Sequence, residues 1–112
     1  MARSRENARR HRRQTVRILV DHHSETGLRC DYATTLGAGG LFIECEEPLA
    51  VGTVLKLRFR LPQSDALHEL QGRVSWTRDA QTGDRSLAPG MGVQFTDLAA
   101  TAPLARELDH LT

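Results

Sequence analysis

Thr34-Thr35-Leu36-Gly37-Ala38-Gly39-Gly40-Leu41-Phe42-Ile43-Glu44 is the stretch that decides how this chain folds. Three glycines in four residues fit neither a helix interior nor the centre of a packed strand, because glycine lacks a Cβ and adopts φ > 0 at little cost. Leu28–Thr35, upstream, is rich in strand formers, and Leu41-Phe42-Ile43, downstream, is apolar. The run therefore reads as a tight connection between two antiparallel strands. A flat or charged ligand can lie against backbone this bare. A glycine-rich hairpin with no ligand explains the same residues, so function has to be read from what surrounds the run. Pairing Thr35 with Gly40 across the turn sets Cys30 opposite Cys45.

Working outward, the flanking segments alternate with period two. Thr15–His22 carries Val16, Ile18 and Val20 on one face and predicts a first strand. Ser24-Glu25-Thr26-Gly27 predicts a turn before Leu28–Thr35, and Leu41–Cys45 predicts a third strand. Val54–Leu61 sets Leu55, Leu57, Phe59 and Leu61 against Lys56, Arg58 and Arg60, the cleanest alternation in the chain. His68–Thr77 places Leu70, Gly72, Val74 and Trp76 at one parity, so Trp76 reads as core rather than as a stacking platform. Residues 78–90 read as a long loop, and Met91, Val93 and Phe95 define a last strand. The period then changes: Leu104, Leu108 and Leu111 share one helical face, with Thr101 as the expected N-cap and Pro103 in the first turn. His22 and His23 read as surface residues at a strand end. Six short strands and a terminal helix argue for a small all-β barrel with the helix across one open end, an open sandwich being the alternative.

The 112 residues make one domain with a net charge of only +1, but that charge is unevenly placed. Residues 1–17 hold seven arginines against Glu6, a net +6, and the remainder is net −5. A basic arm on a mildly acidic body points to an anionic partner. The arm has no hydrophobic periodicity and is expected to be flexible without a ligand. Its cations are all arginine, whose planar fork suits phosphate and the O6/N7 edge of guanine. No apolar run approaches the ~20 residues of a membrane span, and no secretory signal is evident, so a cytoplasmic location is expected, with Cys30 and Cys45 reduced. The two cysteines and scattered histidines give no zinc spacing. No nucleophile triad or paired carboxylates sit in a motif context, so the expectation is a binding module, not an enzyme.

Arg9-Arg10-His11-Arg12-Arg13 ahead of the first strand resembles the RxxxR element of PilZ domains. Thr35-Leu36-Gly37-Ala38-Gly39-Gly40 resembles their (D/N)xSxxG element, which usually continues, as here, into an apolar Leu41-Phe42-Ile43. Gly72-Arg73-Val74-Ser75-Trp76 and Gly90-Met91-Gly92-Val93-Gln94-Phe95 resemble the family's late strands. The likeness runs from about Arg9 to Leu98. It implies a six-stranded antiparallel PilZ-like β-barrel with one C-terminal α-helix over residues 15–112, behind an arm at residues 1–14. It also implies cyclic di-GMP as ligand, held by Arg9, Arg13, Thr35, Gly37 and Gly40. The implied role is a bacterial signalling module that changes conformation on binding and controls a partner protein.

Two positions depart from the family's pattern. Thr35 stands where Asp or Asn is usual, and Gly37 stands where Ser is usual. An aspartate accepts from two guanine donors at once, whereas a threonine hydroxyl makes one short contact. Losing one charge-assisted bond costs roughly 1.5–3 kcal/mol. A PilZ-like protein–protein adaptor that no longer binds the nucleotide is therefore the alternative. A nucleic-acid-binding barrel is a third reading, disfavoured because only 4% of the chain is aromatic.

Overall fold

The computed structural model describes residues 14–79 and 88–111. The arm at residues 1–13 and most of the expected loop at 80–87 lie outside that range. Six strands follow in chain order: β1 (Gln14–Ser24), β2 (Gly27–Leu36), β3 (Gly40–Glu44), β4 (Val54–Phe59), β5 (His68–Arg78) and β6 (Gly90–Phe95). They close into an antiparallel barrel in the order β1-β2-β3-β6-β5-β4, with β4 returning to β1 through Asp21↔Arg58, His22↔Leu57 and His23↔Lys56. The closing β1–β4 contact is short, three residue pairs at the far end of β1.

The alternation read from the sequence fills the interior. Ile18, Val20, Leu36, Leu41, Ile43, Leu55, Leu57, Phe59, Leu70, Val74, Met91, Val93 and Phe95 are buried in one cluster. His22 belongs to the inward parity of Ile18 and Val20 and is only 1% exposed, which corrects its reading as a surface residue. Its burial is matched by a partner: Nε2 lies 2.8 Å from Asp31 Oδ2. His23, one step along, is exposed as expected.

The C-terminal helix α1 (Leu98–Leu111) begins four residues earlier than a cap at Thr101 predicts. Asp97 is the cap: its Oδ1 accepts from the Ala100 N–H at 3.2 Å, and its carbonyl accepts from the Thr101 N–H at 3.2 Å. Thr101 is thereby drawn into the helix and buried. Pro103 falls in the second turn, not the first, and offers no N–H to the Ala99 carbonyl. Leu104 and Leu108 join the barrel core as predicted; the side chain of Leu111 lies outside the described ones. Between them Glu107 accepts hydrogen bonds from Ser64 Oγ at 2.5 Å and His68 Nε2 at 2.6 Å, tying the helix to the start of β5.

The register of β2 on β3 is Ala33↔Ile43, Thr35↔Phe42 and Leu36↔Leu41, so Thr35 faces Phe42 rather than Gly40. Cys30 therefore does not meet Cys45. It sits opposite Asp21 on β1, while Cys45 follows the end of β3 and is buried; both thiols are free. Burial, seconded by the Asp31 carboxylate and opposed by Arg29, pushes the Cys45 thiol up to about 11.

Candidate functional site

Three register shifts shape one outer face of the barrel. On β1, Val16 and Arg17 together face the single residue Thr34. On β2, Thr34 is the extra residue against β3. On β5, Ser75 is the extra residue against β6, between Val74↔Val93 and Trp76↔Gly92. Each insertion turns the following side chain to the opposite face. This is why Trp76, at the parity of Leu70 and Val74, is not core: it stands on the exterior with 42% of its surface exposed. Ser75 Oγ donates to the Gly92 carbonyl at 3.3 Å at the bulge.

The shifts align a cross-strand row Thr15–Thr35–Phe42–Gly92–Trp76 over β1, β2, β3, β6 and β5. Phe42 and Trp76 flank Gly92 on either side, and their rings stack with centroids 5.2 Å apart and planes 22° from parallel. A Cβ on Gly92 would lie 2.1 Å from the indole Nε1, and one on Gly90 would lie 2.6 Å from the tip of the Phe42 ring. The two glycines of Gly90-Met91-Gly92 thus form a trough that the rings occupy. The Arg78 guanidinium lies 4.7 Å from the Phe42 centroid and 5.6 Å from that of Trp76. Phe42 is buried beneath this cover, while the indole remains open to solvent.

Of the site residues expected from sequence, Thr35 is on this row, half-buried, and Gly37 and Gly40 bound the adjacent corner. Arg9 and Arg13 lie outside the described residues. The glycine corner does not use the left-handed backbone that its composition suggested; among the described residues that conformation falls to Gly27, Gly52 and Gln63. Gly40 is needed for close approach instead, since a Cβ there would lie 2.3 Å from the Val93 carbonyl oxygen. The corner is held by Gly37 N–H donating to Gly40 O and Phe95 N–H donating to Gly39 O, each at 2.9 Å. Sequence reasoning missed Trp76 and Arg78 as surface groups. The signal available was Gly92, a glycine in mid-strand where a large ring approaches the backbone.

The described residues thus form a closed six-stranded barrel with a glycine corner and an aromatic pair on its outer face, and among them no group of three or more metal-ligating side chains occurs. The chain belongs to the PilZ domain family, whose model matches residues 5–112. That family comprises regulatory cyclic di-GMP receptor and adaptor domains. Among solved structures, the chain is similar to the inhibitor of motility MotI/DgrA of Bacillus subtilis, with TM-score 0.64 and 18% identity. That alignment covers 87% of this chain and 50% of the other, so the chain spans about half of that protein's length. It is also similar to the PilZ domain of CeSA from a cellulose-synthesizing bacterium, with TM-score 0.61 and 19% identity over 88% of this chain and 98% of that one. No curated protein sequence matches. Among the described residues, no helix is long and apolar enough to cross a membrane.

Proposed function

We propose that this chain is a cyclic di-GMP-binding regulatory module, located in the cytoplasm, that changes conformation on binding and so controls a partner protein. The carrying observation is the Thr35–Phe42–Gly92–Trp76 row, which sets an exposed indole and a guanidinium on the same face as the motif threonine. A guanine is flat and polarisable, and stacking on an aromatic side chain contributes about 1–3 kcal/mol per base. The arginine arm supplies the charge that two phosphates require. Gln14, the first residue of β1, pairs with Leu36, immediately before Gly37. Arg13 directly precedes Gln14 in the chain, and we assign it to the ligand's phosphates. Arg9, four residues further back in the chain, is assigned to the same ligand. Ordering of the arm over the ligand is the conformational change we assign to the module.

Thr35 and Gly37 favour the second reading, an adaptor that has lost the nucleotide, because together they remove a carboxylate and a hydroxyl from the corner. Titration calorimetry of cyclic di-GMP into wild type and Arg13→Ala decides between the two. Binding that weakens in the variant supports the receptor; no heat at high micromolar ligand leaves the adaptor.

A further inference from the structure

The outer face of β2, β1 and β4 is built of different material. Leu19 and Tyr32 are direct cross-strand partners, and both are exposed, Leu19 by 54%. Together with Leu67 they floor a groove of about 550 Å³ that Arg17, Arg58 and Arg60 also line, with Asp21 the one acidic side chain among its walls. The Arg17 guanidinium covers the Tyr32 ring at 4.2 Å. Arg58 meets Glu69 at 3.4 Å with both side chains exposed, so solvent screens the pair and holds it weakly. Arg60 Nε reaches the Asp65 carbonyl at 3.4 Å, near the limit of a hydrogen bond. A guanidinium carries five N–H donors, and these contacts engage few of them.

We propose that this groove docks an acidic segment of a partner protein that carries an apolar anchor residue. Carboxylates meet the guanidiniums of Arg17, Arg58 and Arg60, and the anchor covers Leu19 and Leu67, which are costly to leave wet. Charge disfavours two other occupants. The chain's own arm at residues 1–13 carries six arginines and one acid and would be repelled. A second copy using the same face across a two-fold axis would oppose the arginines to their own kind. A purine finds no open ring here, because Arg17 already covers Tyr32. The inference rests on the partner-controlling half of the proposed function and does not require nucleotide binding.

Fluorescence anisotropy with the full chain tests it, the probe being a labelled nonapeptide of alternating glutamate and leucine around a central phenylalanine. The expected result is saturable binding that weakens with added salt and at least tenfold in Arg58→Glu/Arg60→Glu and in Leu19→Asp. The lysine-for-glutamate peptide should not bind. Circular dichroism monitors folding; if Leu19→Asp disturbs the barrel, the exposed Arg60→Glu carries the comparison. Equal binding of acidic and basic peptides, equal binding by wild type and Arg60→Glu, or no saturation at millimolar acidic peptide overturns the proposal. A concentration-dependent dimer abolished by Arg60→Glu assigns the face to a second copy and also overturns it. Cyclic di-GMP titrated into the same proteins separates the two readings: peptide binding without nucleotide binding removes only the receptor, and nucleotide binding without peptide binding removes only this groove.

Discussion

The two outer faces of this barrel reach a binding surface by opposite means. On β3–β6–β5 the shape comes from the backbone: Gly90 and Gly92 leave a trough, and the Ser75 bulge turns Trp76 into it beside Phe42. On β2–β1–β4 the shape comes from side chains, with Leu19, Tyr32 and Arg58 placed by plain alternation on the ladder, Arg17 at the β1 bulge and Arg60 just past β4. A surface made by removing side chains presents one rigid aromatic platform suited to a flat ligand. A surface made by adding long side chains is adaptable and suited to a peptide. The first should tolerate almost no substitution in its glycines, and the second should tolerate truncation and respond mainly to charge.

The largest effect breaks the comparison at the glycine corner. Gly40→Ala brings a Cβ to 2.3 Å from a backbone carbonyl and should lower unfolding stability in urea by about 3 kcal/mol. Gly39→Ala, which meets nothing within 4 Å, should be close to neutral. Equal behaviour of the two would mean that close approach does not shape this face. Next, Thr35→Asp restores a second acceptor beside the platform. Under the receptor reading it should tighten cyclic di-GMP by ten- to a hundredfold in calorimetry, corresponding to roughly 1.5–3 kcal/mol. Trp76→Ala should weaken the nucleotide by about tenfold. Leu19→Ala, on the other face, should leave nucleotide affinity unchanged and shift stability by less than about 0.5 kcal/mol.

The last test lies in the interior that both faces share. The Cys45 thiol, raised from its ordinary 9.0 to about 11, keeps its proton in the folded chain at a pH where the unfolded chain has released it. Stability should therefore fall as pH rises from 9 towards 11. Denaturation of wild type against Cys45→Ala across that interval checks the sign: the wild type should lose more.

Much of the fold was legible because burial enforces parity. Leu55, Leu57, Phe59 and Leu61 alternate with charged residues, and all four are buried. Leu104 and Leu108 announced the helix and its inward face. Legibility failed where one residue was inserted or a better cap lay nearby. The Cys30–Cys45 register assumed that Thr35 pairs with Gly40; Thr35 pairs with Phe42 instead, a two-residue offset set at the turn, of which the extra Thr34 takes back one. Trp76 was assigned by counting from Val74, and the bulge at Ser75 reversed its side. Asp97 displaced Thr101 as N-cap because its short carboxylate reaches the open N–H groups one turn earlier. His22 looked polar and therefore exposed, but Asp31 on the neighbouring strand satisfies it inside.

By itself, then, the chain determined which segments are strands, where the glycine hairpin turns and that a leucine-faced helix follows, since each is written in local period and in residues with or without a Cβ. Only the tertiary structure decided which side chains share a face. A bulge is a property of two strands paired, its cost met by neighbours far away in sequence, and it is the bulges that carried Thr35, Phe42 and Trp76 onto one surface.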